Sequence, residues 1–177
     1  MMGRGPWQRY VGAPEQPDAG RAVAAALVAG ALLGAFTVAA PLPERALLAV
    51  LTADVCGGLV AHLFRGRGAP AGEAPRWVLG QWLQFVVFAW FFREGDPLRI
   101  ALVGAVHGIA LVLLPRLPPS LQRRAGLAVV GVALLAVDAT LGLLPEAGWY
   151  LPLLLTKVCV AYLPAPGAPA PSTAGDD

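Results

Sequence analysis

Cysteine, histidine and lysine are scarce in this sequence: two, two and one among 177 residues. The two cysteines, Cys56 and Cys159, both sit in apolar runs, so a disulfide framework is not indicated. With no C-x-x-C and no H-x-x-x-H pairing, the spacing of a metal or haem centre is also missing, so neither a metal nor another cofactor is expected. Charge is scarce too. Asp, Glu, Lys and Arg make up 14% of the chain, against roughly 25% in soluble domains. The net charge of +2 comes with no basic stripe of the kind that binds nucleic acid. G-x-S-x-G, a phosphate loop, H-E-x-x-H and paired carboxylates on one helix are all absent. The sequence therefore points to no catalytic residue and leans away from an enzyme.

What is abundant is apolar residues, 57% of the chain, and they are gathered into runs separated by short pieces rich in Pro, Gly and Arg. That pattern predicts an all-α, polytopic membrane protein whose first partner is the lipid bilayer. The candidate spans are Arg21 to Ala40, Ala46 to Phe64, Trp77 to Phe92, Leu98 to Leu114, Ala125 to Leu144 and Trp149 to Pro164. They imply a six-transmembrane-helix bundle, or a five-helix variant if the short last run does not cross. Residues 1–20 and 165–177 are too poor in large apolar side chains to fold and are expected to be disordered tails around a bundle at 21–164.

The distribution of arginine orients the chain. Arg4, Arg9 and Arg21 precede the first span, Arg65, Arg67 and Arg76 follow the second, and Arg116, Arg123 and Arg124 follow the fourth; the other side has Arg45, Arg93 and Arg99. The positive-inside bias predicts a multi-pass protein of the cell (inner) membrane with a cytoplasmic N-terminus. A cleaved signal peptide ending near Thr37-Val38-Ala39 is the competing reading of the first span, but the polar stretch before it is long for an n-region.

Inside a bilayer, helices associate through small residues and a few polar contacts. Ala26, Gly30 and Gly34 recur at four-residue steps, as do Gly104 and Gly108, while Gly131, Asp138 and Gly142 follow at steps of seven and four. On the second span Asp54, Gly57, Gly58 and Ala61 fall within about 60° of one direction. Asp54 is thus expected to face another helix. Gln81 and Gln84, one turn apart on the third span, are candidates for hydrogen bonds between helices.

A charged Asp at a helix centre costs about 2.5–3.5 kcal/mol to insert, so Asp54 needs a partner, a proton or a function. With each span centred in the bilayer, Asp54, His107 and Lys157 all lie near the midplane, and Asp138 lies about 5 Å toward the outside. Lys157 is the sole lysine. The expected site is therefore an ion pair between Asp54 and Lys157 with His107 or Asp138 close by. Its plainest reading is a structural or interaction role, in which polar residues specify helix packing and a homo-oligomer is compatible. The alternative is a small proton-coupled transporter or channel, in which Asp54 changes charge and a proton or small molecule is the substrate. His62 lies about 10 Å nearer the cytoplasm than His107 along the rise, a stagger that disfavours joint ligation of haem.

Asp54-Val-Cys-Gly57-Gly58, a basic loop with Trp77, and the late Trp149-Tyr150-Leu-Pro152-Leu-Leu-Leu-Thr-Lys157 carry a resemblance. Over about Leu47 to Tyr162 the chain resembles a group of small, uncharacterised bacterial integral membrane proteins with an early D-x-x-G-G helix and a late W-[YF]-x-P-L-x-x-x-K motif. At the place of His62 that group often has asparagine. The resemblance implies no activity; it implies that the Asp54 and Lys157 elements belong to one architecture. The shared D-x-x-x-G-L of Asp54 to Leu59 and Asp138 to Leu143 is short enough to arise by chance.

Overall fold

A computed structural model describes residues 17–65, 74–93, 96–141 and 148–161. Among these residues the fold is all-helical. The order is α1 (Pro17–Phe36), α2 (Leu42–Arg65), α3 (Ala74–Arg93), α4 (Pro97–Val112), a 3₁₀ turn (Leu114–Arg116), α5 (Pro119–Leu141) and α6 (Tyr150–Thr156), which runs on as a π turn (Lys157–Ala161). The expected tails lie outside the described residues except for 17–20, which form the first turn of α1.

Proline sets the helix starts. Pro17, Pro43, Pro75, Pro97, Pro119 and Pro152 each fall within the first three positions of their helix, where the missing N–H has no intrahelical acceptor to lose. Asp96 adds a side-chain cap to α4, its Oδ1 accepting from the Leu98 and Arg99 amides at 3.1 and 3.3 Å. Because the prolines lie upstream of the apolar runs, α5 opens before Ala125 and carries Arg123 and Arg124 in its first turns.

Among the described residues four helices are long and apolar enough to cross a membrane: Asp18–Phe36, Leu42–Phe64, Pro97–Arg116 and Ser120–Asp138. Fewer qualify than the six spans expected. The helix α3 has the length, with 20 residues, but Gln81, Gln84 and its tryptophans dilute its apolar character. The Tyr150–Ala161 segment rises only about 18 Å against a hydrocarbon core of roughly 30 Å. Large apolar side chains such as Val28, Leu32, Val50, Leu83, Val132 and Leu135 point outward and are more than half exposed, as expected where the surrounding solvent is lipid.

The shortest helix occupies the centre. Tyr150, Leu151, Leu154, Leu155, Lys157, Val158, Cys159 and Ala161 are all buried, because α6 packs against α2, α4 and α5 and receives α3 through Phe88, stacked 4.4 Å from the Tyr150 ring. In contrast α1 lies along α2. Arg45 Nε donates to the Ala35 carbonyl at 2.6 Å while its guanidinium sits over the Phe36 ring, closing the hairpin. A Cβ on Gly34 would come 2.5 Å from the Leu48 carbonyl oxygen and 2.7 Å from Ala49 backbone atoms. Glycine is what lets the two backbones touch.

Candidate functional site: the Asp54–Lys157 pair

The side chain of Lys157 runs from α6 across Gly58 of α2, and its Nζ donates to Asp54 Oδ2 at 2.7 Å and to the Asp54 backbone carbonyl at 3.0 Å. In an α-helix the carbonyl of residue 54 already accepts the amide of residue 58. A side chain at 58 would cover its second lone pair. A Cβ there would stand 2.5 Å from Lys157 Cε and 2.7 Å from Nζ, so Gly58 opens that carbonyl to the ammonium. The same device recurs between α3 and α4. Trp82 Nε1 donates to the Ile100 carbonyl at 3.4 Å, and a Cβ on Gly104, four residues on, would lie 2.8 Å from that nitrogen.

Lys157 is launched from an irregular stretch of helix. The Thr156 hydroxyl donates to the Pro152 carbonyl at 2.7 Å, and the Lys157 amide is shared between the carbonyls of Leu153 and Leu154. Here the α-helix widens into the π turn Lys157–Ala161. Such widening re-aims the side chain at its first residue.

The two partners differ in cover. The side chain of Lys157 is 3% exposed and that of Asp54 43%. Asp54 Oδ1 has no donor among the described residues, while the fully buried Tyr150 hydroxyl, also without a partner, lies in electrostatic range of the carboxylate. The Cys56 thiol lies in electrostatic range of Lys157. A shallow groove of about 410 Å³ between α1 and α2 is lined by Leu33, Leu59, Val60 and other apolar groups with the Cys56 side chain. It offers no polar route to the pair.

Not every residue expected at the site joins it. His107 is buried on the α4 face that carries Arg99, Val103 and Ala110, but its ring is tied to its own helix: Nδ1 donates to the Val103 carbonyl at 2.7 Å. That bond makes Nε2 the acceptor nitrogen, and it is buried without a partner. No hydrogen bond or ion pair links it to Asp54 or Lys157 among the described residues. Asp138 is exposed on α5, where Ala133 and Val137 take the inward positions. Gly57 is buried. Gly108 and Gly131, expected to pack helices, face open space where a Cβ meets nothing within 4 Å. Gly142 lies outside the described residues.

Two further polar groups find partners. Gln84 Nε2 donates to the Leu51 carbonyl at 3.1 Å, tying α3 to α2 one turn before Asp54. Arg99, counted from the sequence as a connecting-loop charge, is 2% exposed and faces Asp96 Oδ2 at 3.6 Å. The readable signal was the i, i+3 spacing of Asp96 and Arg99 around a proline start. His62 is buried edge-on to Trp77, ring centroids 6.3 Å apart. Comparisons with protein families, with curated proteins and with solved structures find no match to this chain.

Proposed function

We propose that this protein is a six-span integral membrane protein of the cell membrane, N-terminus cytoplasmic, with a structural or interaction role in which the Asp54–Lys157 pair locks α6 into the bundle. The observation that carries this reading is the double engagement of Lys157 Nζ, at 2.7 and 3.0 Å, across the face of Gly58. The bundle is built to receive one ammonium in one register. The short α6 crosses by local bilayer thinning and by its burial among the other helices, and α3 crosses with Trp77 and Trp90 near its ends. Membership of the bacterial group with the early D-x-x-G-G helix is part of the same proposal. It is tested by thermal unfolding in nanodiscs of Asp54→Asn, Lys157→Met and the double variant. Strongly non-additive losses are expected, and additive losses would refute the lock. Reporter fusions at either terminus test the topology, which requires both on the cytoplasmic side.

A second reading, a small proton-coupled transporter or channel, draws on the half-exposed Asp54 carboxylate and on the buried, unpartnered Tyr150 hydroxyl and His107 Nε2. Proton flux in proteoliposomes that disappears in Asp54→Asn would favour it over the structural reading.

A further inference from the structure

The Asp54 carboxylate spends one oxygen on Lys157 and leaves the other at the edge of the bundle. Oδ1 has no donor among the described residues, the side chain is 43% exposed, and next to it on the same edge of α2 Val50 is 67% exposed. Asp54 stands twelve residues past Leu42 and ten before Phe64 in a span-length helix, so about 18 Å and 15 Å of helix separate it from either end. Even long cationic side chains reach the interface only from near a helix end, and a carboxylate on one methylene cannot do so from this depth. Lipid headgroups are equally far away. Any donor that reaches the open side of Oδ1 from outside the bundle has to arrive within the membrane.

A second copy of the chain brings none among its described residues. Its described outward-facing side chains at mid-depth, among them Val28, Leu32, Leu83, Val132 and Leu135, are apolar, and the exposed Asp138 is another acceptor. Lys157 already balances the charge of Asp54, so an added Arg or Lys would leave a net charge in hydrocarbon. A neutral donor completes the site without that cost. We propose that the α2 edge at Asp54 and Val50 docks a transmembrane helix of another protein that presents a neutral hydrogen-bond donor, an Asn, Gln, Ser or Thr side chain, at mid-depth.

This proposal rests on the structural reading and names the chemistry of its partner. The test uses the purified full chain in proteoliposomes with a labelled poly-leucine transmembrane peptide carrying one central Asn, association being read by energy transfer. The Asn peptide is expected to associate about 3- to 15-fold more tightly than the all-leucine peptide. That preference should vanish in Asp54→Leu/Lys157→Met, which removes both charges together, and in Val50→Trp, which blocks the edge from the lipid side and leaves the core untouched. Equal association of the two peptides overturns the proposal, as does a preference that survives both variants, or self-association of the chain that the Asn peptide does not displace. Measuring the Asp54–Lys157 stability coupling on the same samples keeps the two ideas apart. Coupling without peptide preference sinks the docking site and spares the lock; absent coupling sinks the lock.

Discussion

Gly58 and Lys157 compete for the same space: a single added methyl at residue 58 would stand 2.5 Å from the lysine Cε. The atoms in the way are the flexible end of a side chain, so Gly58→Ala moves the ammonium and leaves the backbone in place. The variant should lose about 1–2 kcal/mol through weakened bonds to the Asp54 carbonyl and carboxylate. In a Lys157→Met background, where a thioether chain repacks freely, the same change should become neutral or gain up to about 1 kcal/mol from helix propensity. Thermal unfolding of the four proteins checks this reversal of sign.

Gly34→Ala behaves differently, because its methyl would meet the backbone of Leu48 and Ala49, which cannot swing aside. A loss of about 2–3 kcal/mol is expected, with α1 displaced from α2. No change at Lys157 should relieve it. Cysteine cross-linking between α1 and α2 would report the displacement as a loss of yield.

Both partners of the ion pair need each other. Asp54→Asn leaves a 3% exposed ammonium without its counter-charge, and Lys157→Met leaves a carboxylate that is 43% exposed. At mid-span that exposure is to hydrocarbon, which solvates a charge no better than the bundle interior does. Each single variant should therefore lose about 3–5 kcal/mol, as when one partner of a buried pair is removed, and the double variant should lose less than the sum of the two. Unfolding in nanodiscs that finds either single variant near neutral would contradict the pairing.

On α4, two glycines one turn apart should respond oppositely. Gly104→Ala displaces the Trp82 indole from the Ile100 carbonyl, and about 1 kcal/mol is expected to be lost together with a shift in tryptophan fluorescence. Gly108→Ala meets open space, so stability should hold or rise by up to about 1 kcal/mol. The fluorescence of Gly108→Ala should be unchanged.

Depth and periodicity made part of the site readable in advance. Centring each apolar run put Asp54 and Lys157 at one depth, the structure pairs them at 2.7 Å, and the angular clustering of Asp54 with Gly58 marks the face they share. The same arithmetic left open which way His107 and Asp138 face, since depth says nothing of azimuth. His107 turns its ring onto its own helix, and Asp138 stands a helical step away from the buried Val137. Small-residue spacing found Gly30, Gly34 and Gly104 but included Gly108 and Gly131 as well, because in a chain rich in alanine and glycine such spacing recurs on faces that meet lipid.

Composition and the gathering of apolar residues into runs were enough to point to an all-helical chain with runs of membrane length, because a backbone in hydrocarbon must satisfy its own hydrogen bonds. Only the tertiary structure decided that the shortest helix sits at the centre, that one glycine opens a carbonyl to a lysine from 103 residues away, and that the aspartate keeps one oxygen turned outward. Those facts depend on how helices rotate about their own axes when they pack, and rotation is set by the neighbours a residue meets in space rather than by its neighbours along the chain.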